Sequence, residues 1–154
     1  MKVVIQRSKN ASVEVDNKVV GKIDKGLVIL VGFTESDNEN FIDKMVNKVI
    51  NLRIFDDENG VMNKSLLDGN GDILSISQFT LYADTKKGRR PSYIKALRGE
   101  ESTILYDIWN NKLNEAGINV ETGIFGADMK VSLINDGPVT IIIDSEEFNW
   151  KKQI

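Results

Sequence analysis

Leu27-Val28-Ile29-Leu30-Val31 is an unbroken apolar run, too short for a typical helix and without the polar alternation of a strand that keeps one face in water. It reads as a strand buried on both faces, and the rest of the chain can be laid out around it. Upstream, residues 3–6, then Ser12-Val13-Glu14-Val15 with apolar residues at every second place, then residues 19–23, predict short strands separated by turns at Asn10 and Asp16-Asn17. Downstream, Ser36-Asp37-Asn38-Glu39 has the spacing of a capping box, and Phe41, Ile42, Met45, Val46, Val49 and Ile50 follow at helical spacing. The turn signals Asn59-Gly60, Asp68-Gly69 and Asn70-Gly71 precede a strand expected over 73–81. A second amphipathic helix is expected from about residue 100 to 116, with Leu105, Ile108, Trp109 and Leu113 on its apolar face and Gly117 at its end. Strands over 118–121, 129–134 and 139–143 complete the series. Strands outnumber helices, so the expected fold is α+β: a single domain over 1–154 with a largely antiparallel, barrel-like sheet and two main amphipathic helices packed on it.

The chain has 154 residues, 41% apolar and 28% charged, an ordinary globular composition able to bury roughly 70% of its unfolded surface. It contains neither Cys nor His. Disulfides, thiolate nucleophiles, Ser-His-Asp and Cys-His devices and nearly every transition-metal site are thereby excluded, and no cofactor or metal is expected. The longest apolar stretch, 27–33, falls far short of the roughly 20 residues of a membrane span, so a cytoplasmic protein without a membrane partner is expected. The net charge is −3, yet Lys86, Lys87, Arg89 and Arg90 crowd into five positions. A basic loop on an acidic body is either a solvated turn or a phosphate contact.

Three segments invite chemistry. In Ser77-Gln78-Phe79-Thr80-Leu81, polar residues interrupt an otherwise apolar element just before the basic loop. They fit a half-buried strand, hydroxyl nucleophiles lacking any His to take a proton, or a strand end whose backbone N–H groups hold an oxyanion. Asn135-Asp136-Gly137-Pro138-Val139-Thr140 fits a turn between two strands, and its Gly-Pro bond is one where a cis peptide is inexpensive; either isomer is compatible with the sequence. Phe125-Gly126-Ala127-Asp128-Met129 fits core filler or a pocket that stacks on a base. Gly69-Asn70-Gly71 is too short for a dinucleotide fingerprint, and no P-loop occurs.

The run from Ser77 through Thr80 and Lys86-Lys87-Gly88-Arg89-Arg90-Pro91-Ser92, together with Asn135-Asp136-Gly137-Pro138-Val139-Thr140, closely resembles the D-aminoacyl-tRNA deacylase family. Likeness extends along the chain through Gln6-Arg7, Asn51-Leu52-Arg53-Ile54-Phe55 and residues 125–133, whereas Ser8 and residues 94–103 look less typical. The resemblance implies a homodimeric trans-editing hydrolase with active sites at the subunit interface. It would cleave the ester of D-aminoacyl-tRNA, and of glycine mischarged on alanine tRNA, without acting on DNA. It places Ser77, Gln78, Phe79 and Thr80 at the catalytic centre and gives Gly137 and Pro138, as a Gly-cisPro pair lent by the partner, the rejection of L-aminoacyl esters. Arg7 and Asn135 would support that pair. Phe125 and Met129 would surround the terminal adenine, and Lys86, Lys87, Arg89 and Arg90 would contact tRNA. Two other readings stand beside it: a non-catalytic tRNA-binding module using the basic loop, and a general esterase or peptidase with a Ser or Thr nucleophile activated by Lys.

Overall fold

The computed structural model describes residues 1–150. Its centre is a five-stranded sheet in the order β6-β5-β2-β1-β7. β1 (Lys2–Val15) and β2 (Lys18–Gly32) are two long antiparallel strands joined at Asp16-Asn17. Both turn residues have positive φ, 50° and 63°, the geometry a two-residue hairpin needs. The expected turn at Asn10 is instead a kink inside β1: φ is 50°, but pairing with β2 resumes at Ala11. Likewise residues 19–23 and 27–31 belong to one strand. Leu27, Ile29 and Val31 point into the larger core and Val28 into a smaller one, which is why the run carries no polar residue.

α1 (Glu39–Asn51) buries all six predicted apolar residues. Its cap is Asn38, which accepts the Phe41 N–H at 3.0 Å, and not Ser36. The segment holding Ser36 is taken up by a turn in which Asp37 receives the Thr34 N–H at 2.7 Å and the Met1 α-ammonium at 2.6 Å. A small hairpin of β3 (Phe55–Asp56) and β4 (Met62–Lys64) follows. Asp68-Gly69 and Asn70-Gly71 end a short helix, α2 (Leu66–Gly69), with a Ser65 capping box in front and Asn70 left-handed behind. The crossover returns β5 (Asp72–Ser77) parallel to β2, and β6 (Val120–Thr122) runs parallel to β5. Thus an antiparallel half, β2-β1-β7, adjoins a shorter parallel half within an α+β fold.

α3 (Glu100–Glu115) packs beside α1 and ends before Gly117, where φ is 93°. Tyr106, Trp109 and Leu113 are buried, while Leu105 and Ile108 pack at the margin. β7 (Lys130–Asp144) replaces the two expected strands over 129–134 and 139–143 and forms one edge of the sheet. The larger core lies beneath α1 and α3; the smaller is made by Ala11, Val13, Ile23, Val28, Leu74 and Ile76, with Met129, Val131 and Leu133 against it.

Candidate active site

β5 leaves the sheet at Ser77, whose ladder partner is Val31. Gln78 still donates its N–H to the Val31 carbonyl at 2.8 Å, but its backbone (φ −146°, ψ 83°) turns away, and Phe79–Tyr82 winds into a 3-10 turn. The strand expected over 73–81 therefore stops at Ser77. Gly32, at the end of β2, lets the turn pack close: a Cβ there would lie 2.8 Å from the Gln78 carbonyl oxygen. The turn's first hydrogen bond is donated by Leu81 to the Gln78 carbonyl at 3.3 Å. The N–H groups of Phe79 and Thr80 precede it and have no acceptor among the described residues, as the opening donors of any helical turn lack an internal partner.

The side chains say more about what the turn does not do. Thr80 Oγ1 accepts from Gln78 Nε2 at 2.6 Å, and no carboxylate or amine contacts it. A hydroxyl without a base beside it is a weak nucleophile. Phe79 is partly exposed, its ring set edge-on to Tyr93 at 5.2 Å, with the Arg98 guanidinium 4.4 Å from its centroid.

A cavity of about 210 Å³ opens where the two cores meet. Ser77, Gln78 and Phe79 line it together with Phe125 and Met129, so two of the three segments singled out in the sequence converge here. Phe125 is braced by the Tyr106 ring at 5.8 Å. None of the lining residues titrates in the neutral range. Ser102 of α3, which sequence reading does not single out, also lines the cavity. Its signal was present: Ser102, Tyr106, Trp109 and Leu113 form one helical stripe, and Ser102 is the polar residue at its start. A larger, polar cleft of about 630 Å³ lies on the other side of the 3-10 turn, over Tyr82, and contains none of the predicted site residues. The Tyr82 hydroxyl is buried without a partner; burial, and then the charges of Asp37, Asp144 and Glu146, push its pKa up.

The third segment is held apart. Gln6 pairs with Thr140 and Ser8 with Asn135, so Arg7 alone faces residues 136–139, and the expected turn is a bulge within β7. The Gly137-Pro138 bond is cis. Arg7 Nε donates to the Asp136 carbonyl and Nη1 to the Ile54 carbonyl, each at 2.8 Å, and Nη1 also reaches Asp56 Oδ1 at 3.3 Å. Asn135 spans the base of the bulge: its Oδ1 accepts the Val139 N–H at 2.9 Å and its Nδ2 donates to Thr140 Oγ1 at 2.8 Å. Gly137 has φ 140°, and a Cβ there would lie 2.8 Å from Val139 Cγ2. Gly137 and Pro138 are exposed, and neither lines the cavity of their own chain. Lys86, Lys87, Arg89 and Arg90 are exposed in a loop pinched shut by paired Asp84–Ser92 backbone hydrogen bonds of 2.8 and 2.9 Å. Among the described residues, no group of three or more Asp or Glu side chains is placed to hold a metal ion, and no helix is long and apolar enough to cross a membrane.

Comparison with known proteins places this geometry in context. A family model described as D-Tyr-tRNA(Tyr) deacylase matches residues 4–144. A D-aminoacyl-tRNA deacylase of Flavobacterium psychrophilum is 62% identical over 147 residues, covering 95% of this chain and 98% of its own. One from Brevibacillus brevis is 55% identical over 145 residues, covering 94% and 100%. Among solved structures, one described as c-Myc DNA Unwinding Element Binding Protein superposes with a TM-score of 0.88 at 36% identity, covering 94% of this chain and 98% of that one. Another, described as a probable eukaryotic D-amino acid tRNA deacylase, has a TM-score of 0.82 at 17% identity, covering 92% and 97%, and attests the shared fold.

Proposed function

The chain belongs to the D-Tyr-tRNA(Tyr) deacylase family, hydrolases of the aminoacyl-tRNA ester, and from that premise we propose that its single domain, residues 1–154, edits by main-chain chemistry in one chain and main-chain exclusion by another. The terminal adenosine enters the cavity against Phe125 and Met129. The ester carbonyl lies at the free N–H groups of Phe79 and Thr80, which Ser77 and Gln78 support. Water adds to the carbonyl carbon, the developing oxyanion is held by the two N–H groups, and collapse expels the ribose 3′-oxygen, which takes up a proton. An aminoacyl ester is already activated and the neighbouring 2′-hydroxyl can orient or activate water, so positioning and charge stabilisation suffice and no titrating side chain is required. The observation that carries this reading is the Phe79 N–H, without an acceptor among the described residues, on a cavity with no ionisable wall; Thr80, next in the turn, also has an unpaired N–H but does not itself line the cavity.

Selection belongs to the Gly137-Pro138 bulge of a second copy in a homodimer, inserted at the mouth of the cavity. Its carbonyls stand close to the substrate Cα, where an L side chain collides and a D side chain points outward. Glycine presents nothing to exclude, so glycyl-tRNA is also cleaved. Support comes from Arg7 and Asn135, which stiffen the base of a bulge whose tip is exposed. Further support comes from edge strand β7, which leaves Ile134 and Ile142 exposed by 55% and 67% on the two sides of that bulge, an arrangement that calls for a covering partner. Lys86, Lys87, Arg89 and Arg90 take the phosphates of the tRNA, and the work is done in the cytoplasm. The chemistry selects RNA over DNA, since the reaction draws on a ribose 2′-hydroxyl.

Purified protein is expected to hydrolyse D-tyrosyl-tRNA and glycyl-tRNA and to spare L-tyrosyl-tRNA. Comparable cleavage of the L ester would overturn the exclusion mechanism, and cleavage of small esters lacking a ribose would favour a general esterase.

A further inference from the structure

Ser102 is 4% exposed, sits in the first turn of α3, and its hydroxyl makes no hydrogen bond among the described residues. The adjacent Thr103 shows the usual outcome for a hydroxyl at a helix start: its Oγ1 donates to the Gly99 carbonyl at 3.2 Å. Ser102 forgoes that bond and lines the cavity, where its neighbours include Phe33, Ile76, Phe125 and Met129. Its oxygen is not among the fully occluded side-chain polar atoms that lack a partner, which among the described residues are the Tyr82 hydroxyl and Asn110 Oδ1, so the hydroxyl opens onto the cavity. Such a residue makes physical sense where a ligand supplies the missing partner. Ser77 and Gln78 are the other polar side chains on the cavity wall, and they lie on the catalytic segment.

We infer that Ser102 is a substrate-binding residue whose hydroxyl hydrogen-bonds the terminal nucleoside of the tRNA, and that it contributes to affinity and not to the chemical step. The inference rests on the proposed placement of that nucleoside in the cavity. It adds a contact on the helical wall of the cavity. The neutral hydrogen bond it supplies should be worth about 3- to 10-fold in affinity.

The test is Ser102→Ala in the full-length chain, read in three ways. With D-tyrosyl-tRNA, KM should rise about 3- to 10-fold while kcat stays within about twofold of the parent. Adenosine alone should raise the thermal midpoint of the parent protein more than that of the variant. Without ligand, the variant should be at least as thermostable as the parent, because the hydroxyl it removes has no partner in the protein. Unchanged KM together with an unchanged adenosine response would overturn the inference. So would a clear loss of thermostability or failure to fold, which would make Ser102 a structural residue. If the parent protein left D-tyrosyl-tRNA intact, the proposed reaction would fall, while the adenosine comparison would still decide the role of Ser102.

Discussion

The 3-10 turn at Phe79–Tyr82 and the bulge at Gly137-Pro138 are both places where a strand abandons its ladder, yet they are made in opposite ways. The turn is positioned by packing. It follows the last β5 residue, leans on Gly32, and presents unpaired donors beside an interior cavity. The bulge is positioned by hydrogen bonds. One buried arginine and one asparagine grip its base, while its tip faces outward and touches nothing in its own cavity. The contrast fits the two roles proposed for them: an oxyanion site gains from water exclusion and fixed dipoles, whereas a steric filter needs only a stiff edge that another molecule can meet.

The largest expected effect attacks the turn. Gly32→Ala places a methyl group 2.8 Å from the Gln78 carbonyl oxygen and must push the turn outward. Loss of a preorganised oxyanion donor lowers kcat about 10²- to 10³-fold with KM little changed. Gly21→Ala, on the same strand as Gly32, is the matched control: its Cβ would lie 2.6 Å from the Thr122 carbonyl oxygen of β6, outside the cavity lining. It should reduce thermostability but leave kcat per folded molecule intact. Equal kcat losses in the two variants would remove the special role of the turn.

Next comes the bulge. Arg7→Lys keeps the charge but cannot reproduce the fork that reaches Asp136 and Ile54 at once. The ratio of D- to L-tyrosyl-tRNA cleavage should fall about 10- to 100-fold, the worth of one or two charge-assisted hydrogen bonds, with cleavage of the D ester changed only a few-fold. An intact ratio would mean that the arginine does not stiffen the filter. The smallest effect is reserved for Thr80→Ala, which removes the acceptor of the Gln78 side chain but spares the backbone N–H. A reduction in kcat of a few-fold is expected, whereas complete loss in a folded, substrate-binding variant would restore the threonine hydroxyl as a nucleophile.

Much of this organisation was legible beforehand. The buried run at 27–31, the apolar face of α1 and the Gly117 helix end follow from periodicity and backbone sterics, and the structure has them where expected. Bulges and turns were harder to separate. Asn10 and the Asn135–Thr140 segment carry the same turn chemistry as Asp16-Asn17, because positive φ marks a departure from the ladder and not a reversal of the chain; reversal took two successive left-handed residues. Ser36 lost the helix cap to Asn38 through a long-range contact, the Met1 ammonium on Asp37, which local spacing does not contain. The parallel pairing of β2 with β5 is likewise set by a crossover and not by composition. The motif residues at 77–80 and 125–129 were legible through their resemblance to a family. Ser102 was legible only as a polar residue on an apolar stripe, and Gly32 only through a close approach between two segments distant in sequence.

The division of labour proposed between two copies can be tested directly by subunit mixing. Arg7→Lys chains have a working cavity behind a loosened filter; Gly32→Ala chains have an intact filter beside a disabled cavity. When the first are exchanged with an excess of the second, each working cavity should acquire a neighbour's intact bulge, so cleavage of L-tyrosyl-tRNA should fall to the parent level while cleavage of D-tyrosyl-tRNA persists. L-ester cleavage that stays constant per Arg7→Lys chain throughout the exchange would contradict the account and assign selection to the chain that performs the hydrolysis.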